Sequence, residues 1–114
     1  MNNNTPTCNW VGASGKNYKY FIYSIPPDFN NGQPGNYIFV KLSNDQKWIP
    51  IYIGETKDLG ERFDGHHKMS CIKRKGATHI HVHLNFGGED VRKKEEQDLL
   101  DHYTNAHEPN GCNG

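Results

Sequence analysis

The chain has 114 residues, about the length of one domain, which leaves little room for a second. A third of the residues are hydrophobic, so one modest core is allowed, and thirteen acidic side chains balance thirteen basic ones, which disfavours a general nucleic-acid binder. No apolar run approaches the roughly 20 residues that span a bilayer, and the start Met1-Asn-Asn-Asn-Thr-Pro lacks the charged and apolar regions of a signal peptide.

Residues 1–16 and 104–114, rich in Asn and Gly, are expected to be irregular flanks of a single domain spanning 1–114. Tyr18–Ile25 reads as a strand, aromatic and β-branched, ended by Pro26-Pro27. Asn36–Leu42 and Ile49–Ile53 are two further strands, joined by the turn residues Ser43-Asn-Asp-Gln-Lys as an antiparallel hairpin. A helix follows to about Lys68, with Thr56 as N-cap and Leu59, Phe63 and His66 at helical spacing. Thr78–Leu84 alternates Ile80, Val82 and Leu84 against His79, His81 and His83, a half-buried strand. After Gly87-Gly88, Asp90 caps a helix to about Tyr103. The order β-β-β-α-β-α predicts an α+β fold, a small and mostly antiparallel sheet flanked by helices.

The three cysteines, Cys8, Cys71 and Cys112, are odd in number and lack CxxC spacing. That predicts free thiols and a cytoplasmic location, without a disulfide framework or a Cys-rich zinc site.

A hairpin turn centred on Asn44-Asp45 would set Tyr37 directly opposite Tyr52, two phenols on one face. Arg62 and His66, four apart on one helix, would point the same way and suit a phosphate. On the last helix Glu96 shares a face with Leu99, Leu100 and Tyr103, while Glu95 points away. A carboxylate at a core edge needs a partner, either a hard divalent cation or Arg92. Arg62, Lys68, Lys73, Arg74 and Lys75, against the single acid Asp64, form either a phosphate-holding patch or a solvated basic turn. His79, His81 and His83 on one strand face are either zinc ligands or the polar side of an ordinary strand.

Gly35-Asn36-Tyr37 and Tyr52-Ile53-Gly54 are close to the two signature triplets of the GIY-YIG nucleases. The chain resembles that family further through Thr56, Asp58-Leu59, Arg62-Phe63, His66, Gly76-Ala77-Thr78, Glu96 with Leu99-Leu100, and Pro109 with Cys112-Asn113. It departs from the pattern at Asn36, where relatives carry an aliphatic residue, and at Glu55, near which several carry a Lys. It also has a longer stretch between Leu100 and the terminal Asn, and no companion DNA-recognition domain.

The resemblance implies a β-β-α-β-α core with an extra N-terminal strand and a metal-dependent endonuclease acting on nucleic acid, with DNA the expected substrate. It places Mg²⁺, or Mn²⁺, on Glu96 and assigns Arg62 to the scissile phosphate. Tyr52 would activate the water as a phenolate favoured by the cations, Tyr37 would position water or phosphate, and His66 would relay a proton. Asn113, or alternatively Asn110, would fasten the tail beside the site. Arg62, Lys68, Lys73, Arg74 and Lys75 would contact the nucleic acid. Products would carry 5′-phosphate and 3′-hydroxyl ends, and one site cutting both strands allows a homodimer. The alternatives are a zinc-binding hydrolase or metal-binding module on His79, His81 and His83, and a non-cleaving nucleic-acid-binding domain.

Overall fold

The computed structural model describes residues 5–26, 28–63 and 65–114, so Pro27 and Asp64, and the start of the amino-terminal flank, lie outside the described residues. Five strands, β1 (Thr7–Val11), β2 (Asn17–Ser24), β3 (Gly35–Leu42), β4 (Trp48–Thr56) and β5 (His79–Leu84), form one antiparallel sheet. Their order across it is β1-β2-β5-β3-β4, which leaves β1 and β4 at the edges. Three helices, α1 (Leu59–Arg62), α2 (Met69–Arg74) and α3 (Glu89–His102), and a 3₁₀ turn at Thr104–Ala106 complete the expected α+β fold.

Alternation along the strands sends side chains to two faces, and both are covered. Trp10, Tyr18, Tyr20, Ile38, Val40 and Ile53 pack with Leu99 of α3 and with Ala106. Tyr37, Phe39, Ile51, Ile80 and Val82 pack on the other face with Leu59 of α1, Ile72 of α2 and Cys112.

Four expectations are corrected. The amino-terminal flank contains β1, which is short and carries polar residues on one face, so its alternation is weak in sequence. Its anchor is Trp10, whose indole N–H donates to His81 Nδ1 at 2.9 Å inside the core.

The hairpin register is shifted: Tyr37 opposes Gly54, and Tyr52 opposes Phe39. The loop holds three residues, with Gln46 in the left-handed region and the Ser43 N–H donating to the Lys47 carbonyl. A bulge then inserts Ile51 between the pairs Val40–Pro50 and Phe39–Tyr52. Proline tolerates this place because it has no N–H to give to a ladder.

The single helix expected up to Lys68 is two short ones. Asp58, not Thr56, caps α1, its carboxylate accepting from the Glu61 N–H at 3.1 Å. The segment after α1 includes Gly65 at φ +130°, a conformation that an L side chain rarely adopts, so His66 is not on a helix shared with Arg62.

Cys71 and Cys112 form a disulfide, and Cys8 is the free thiol. The pairing joins α2 to the carboxy-terminal tail across 41 residues of sequence, which no local spacing announces. Among the described residues no helix is long and apolar enough to cross a membrane.

Candidate active site at the edge of the sheet

The two glycines of the triplets are required by close approach. A Cβ on Gly54 would lie 2.6 Å from Tyr37 Cζ and Oη and 2.9 Å from Tyr52 Cε2. On Gly35 it would lie 2.8 Å from the His83 carbonyl oxygen. The missing side chain at Gly54 lets the Tyr37 ring lie across the edge strand, 6.1 Å from the Tyr52 ring and inclined to it by 28°. The phenols meet as a diagonal pair rather than as the direct pair expected. The bulge helps, because the neighbours Ile51 and Tyr52 both pack on the Tyr37 side while Ile53 packs on the other.

Tyr37 is fully buried and Tyr52 only partly. His66, buried beside them, has Nε2 2.7 Å from Tyr37 Oη. Its Nδ1 accepts the Lys68 backbone N–H at 3.0 Å. That bond fixes the tautomer of a neutral ring: Nε2 carries the hydrogen and donates it to the phenol. Burial, with the charges of His67 and Arg62, lowers His66 to about 4, so the ring is neutral at physiological pH.

Arg62 ends α1, and its charge lowers both phenols, but burial outweighs it and both lie above the ordinary tyrosine value. Arg62 alone therefore does not produce the phenolate expected from the cation field. A cavity of about 310 Å³ opens beside Arg62 and His66, lined also by Thr56, Lys57, Asp58 and His67.

Glu96 reaches this neighbourhood from α3. Its carboxyl is raised to about 7 by burial and then by the Glu55 carboxylate, against the lowering effects of Lys93, Arg62 and the Glu55 backbone N–H that it accepts. The same Glu96 charge raises Tyr52 and Tyr37. The charges of Arg62 and Glu96 thus both act on Tyr37 and Tyr52, and that of Arg62 on His66 as well. Arg92, the alternative partner of Glu96, pairs instead with Glu55 at 3.0 Å. A hard carboxylate crowded by a second one suits a divalent cation, which would relieve the repulsion.

Asn113 lies against β4 from the tail, its Oδ1 accepting the Ile53 N–H and its Nδ2 donating to the Ile53 carbonyl, both at 2.9 Å. Asn110 is exposed. The basic residues divide. Lys75 donates Nζ to the Pro109 carbonyl at 2.6 Å and so ties down the tail, whereas Lys73 and Arg74 are exposed on α2 and Lys68 precedes it, partly buried.

One alternative finds no support, and one further expectation fails. His79, His81 and His83 share a face but do not converge. His81 is buried against Trp10, His83 bonds Glu95, and the Trp48 ring stands edge-on to both His79 and His81. Among the described residues no group of three or more His, Cys, Asp or Glu is placed to hold a metal. Glu95 does not point away from the core. It accepts from Tyr20 Oη at 2.6 Å, lies 2.9 Å from His83 Nδ1 and accepts from Asn85 Nδ2 at 3.3 Å. The signal for it was present in the 92, 95, 99 spacing, since Arg92, Glu95 and Leu99 are the buried residues of α3.

No protein-family model, curated protein or solved structure matches the chain.

Proposed function

We propose that the protein is a metal-dependent endonuclease that hydrolyses phosphodiester bonds in nucleic acid, with DNA as substrate, in the manner of the GIY-YIG enzymes that its motifs resemble. The observation that carries the reading is the shared environment of the two phenols, one guanidinium and one carboxylate, with neutral His66 bonded to Tyr37.

Arg62 binds two phosphate oxygens and meets the charge that grows on them during reaction. Tyr52, the partly exposed phenol, is the one that water reaches; it is a base only as phenolate, the form that a cation held on Glu96 together with Arg62 would favour, and in that form it takes the water's proton. Base catalysis of this kind is worth roughly 10²–10⁴-fold. Tyr37, fixed by His66, orients the reacting groups. Glu96 would hold Mg²⁺ or Mn²⁺, which supplies Lewis-acid charge to the phosphate when bound. Lys73, Arg74 and Lys68 offer the neighbouring phosphates a positive surface.

A non-cleaving binding domain is the second reading, favoured by the upward shift of both phenols. Supercoiled plasmid incubated with Mg²⁺ or Mn²⁺ separates the two. Nicking that is lost in Glu96→Gln and Arg62→Ala supports the nuclease. Tight binding of DNA without nicking supports the binding domain.

A further inference from the structure

The strand that carries Tyr52 is held along its free edge by the tail. The Cys112 N–H donates to the Ile51 carbonyl at 2.8 Å, and Asn113 brackets Ile53 from the next residue. Ile51 and Ile53 flank Tyr52, so the tail fixes the backbone on both sides of that phenol. An edge strand otherwise presents unpaired N–H and C=O groups to whatever approaches.

The tail in turn is attached to α2. Lys75 reaches the Pro109 carbonyl, and Cys71 bonds Cys112. Cys71 lies shortly after the His66–Lys68 segment, so one covalent bond joins the element following His66 to the tail that is hydrogen-bonded to the strand of Tyr52. Without it, the residues after the 3₁₀ turn would be an irregular segment held by hydrogen bonds and by burial of Cys112 and Asn113, a type of segment that opens locally with ease.

We propose that the Cys71–Cys112 bond is a thiol-reversible clamp, which a dithiol reductant opens to loosen the tail from β4 and weaken the site at Tyr52. The structural half stands on the tail contacts alone. The functional half rests on the nuclease reading. Cys71 is partly exposed and Cys112 fully buried, so the reductant's thiolate attacks Cys71 Sγ. The basic residues Lys73, Arg74 and Lys75 on and beside α2 favour the approach of that anion. Attack forms a mixed disulfide at Cys71 and releases Cys112 as a thiolate, which takes a proton. The second thiol of the reductant then displaces Cys71 as a thiol and leaves as a cyclic disulfide. Two electrons and two protons pass from the dithiol to the protein.

Hydrogen exchange on the intact chain, with and without dithiothreitol, tests the clamp, and mass spectrometry reports the gain of two hydrogens. The Ile53 amide is the direct probe because it donates to Asn113. Reduction should speed its exchange by at least about tenfold while β5 amides at mid-sheet keep their protection. Plasmid nicking should fall in parallel and return on reoxidation. Purified protein lacking the disulfide, or unchanged Ile53 exchange after full reduction, overturns the clamp. Loosened Ile53 with undiminished nicking overturns its control of the site. Loosened Ile53 with no nicking in either form keeps the clamp and discards the nuclease.

Discussion

Asn113 grips Ile53 by both of its backbone polar groups, taking the place that a sixth strand would occupy at the edge of β4. Only a side-chain amide offers one donor and one acceptor in a single plane at that reach, which accounts for asparagine rather than aspartate. Both groups are buried, so their loss leaves two unpaired backbone atoms. Asn113→Ala should destabilise the fold by about 1–3 kcal/mol, and Asn113→Asp by a similar amount. Urea titration of the variants measures this. A midpoint within error of the parent would show that the bracket contributes nothing.

Gly54 is where the two phenols meet the strand. A methyl group there sits at less than van der Waals distance from both rings, and neither ring is a flexible chain end able to swing aside. Gly54→Ala should cost about 1–3 kcal/mol through overpacking and remove any cleavage activity. Parent-like stability together with full activity would contradict the close packing of Tyr37 over the strand.

The Glu96 carboxyl titrates near 7 rather than at its ordinary 4.5. Between those values the folded protein holds a proton that the unfolded chain has released, so stability falls as pH rises through that window. A cation at Glu96 must displace this proton. Its affinity should therefore climb about tenfold per pH unit below about 7 and level off above. Calorimetric titration with Mn²⁺ from pH 5.5 to 8 reads the slope directly. In Glu96→Gln both the binding and its pH dependence should vanish, and a flat profile in the parent would exclude Glu96 as the ligand.

Much of this arrangement was legible in the residues themselves. The α+β class followed from local signals: the aromatic and β-branched run Tyr18–Ile25, the alternation at Thr78–Leu84, and the helical spacing of Leu99, Leu100 and Tyr103. What sequence misplaced was set by tertiary geometry. The Tyr37–Tyr52 register depended on one extra loop residue and on the bulge before Tyr52, neither of which changes the hydrophobic pattern. The Cys71–Cys112 pair depended on where the tail lies in space. Gly65 was visible as a helix breaker, but Leu59, Phe63 and His66 at helical spacing masked it. The histidine strand allowed a ligand-set reading because the partners of its members, Trp48, Trp10 and Glu95, come from other elements of the fold.

The sharpest contrast lies between two adjacent glutamates. Glu95 is buried, with Tyr20, His83 and Asn85 all directed at its two oxygens, so its carboxylate organises the interface between α3 and the sheet. Truncation to alanine strands those polar groups inside the protein and should cost about 2–4 kcal/mol. Glu96 is raised by burial and then by the Glu55 carboxylate, so its ionisation above about pH 7 costs the fold stability. Glu96→Gln removes that strain and should leave stability unchanged or slightly improved, while abolishing Mn²⁺ binding and nicking. Paired measurements on Glu95→Ala and Glu96→Gln, melts on one side and cation titration on the other, should give opposite patterns. If Glu96→Gln unfolds the protein as readily as Glu95→Ala, Glu96 is a structural residue. The cation, and the chemistry assigned to it, then lose their ligand.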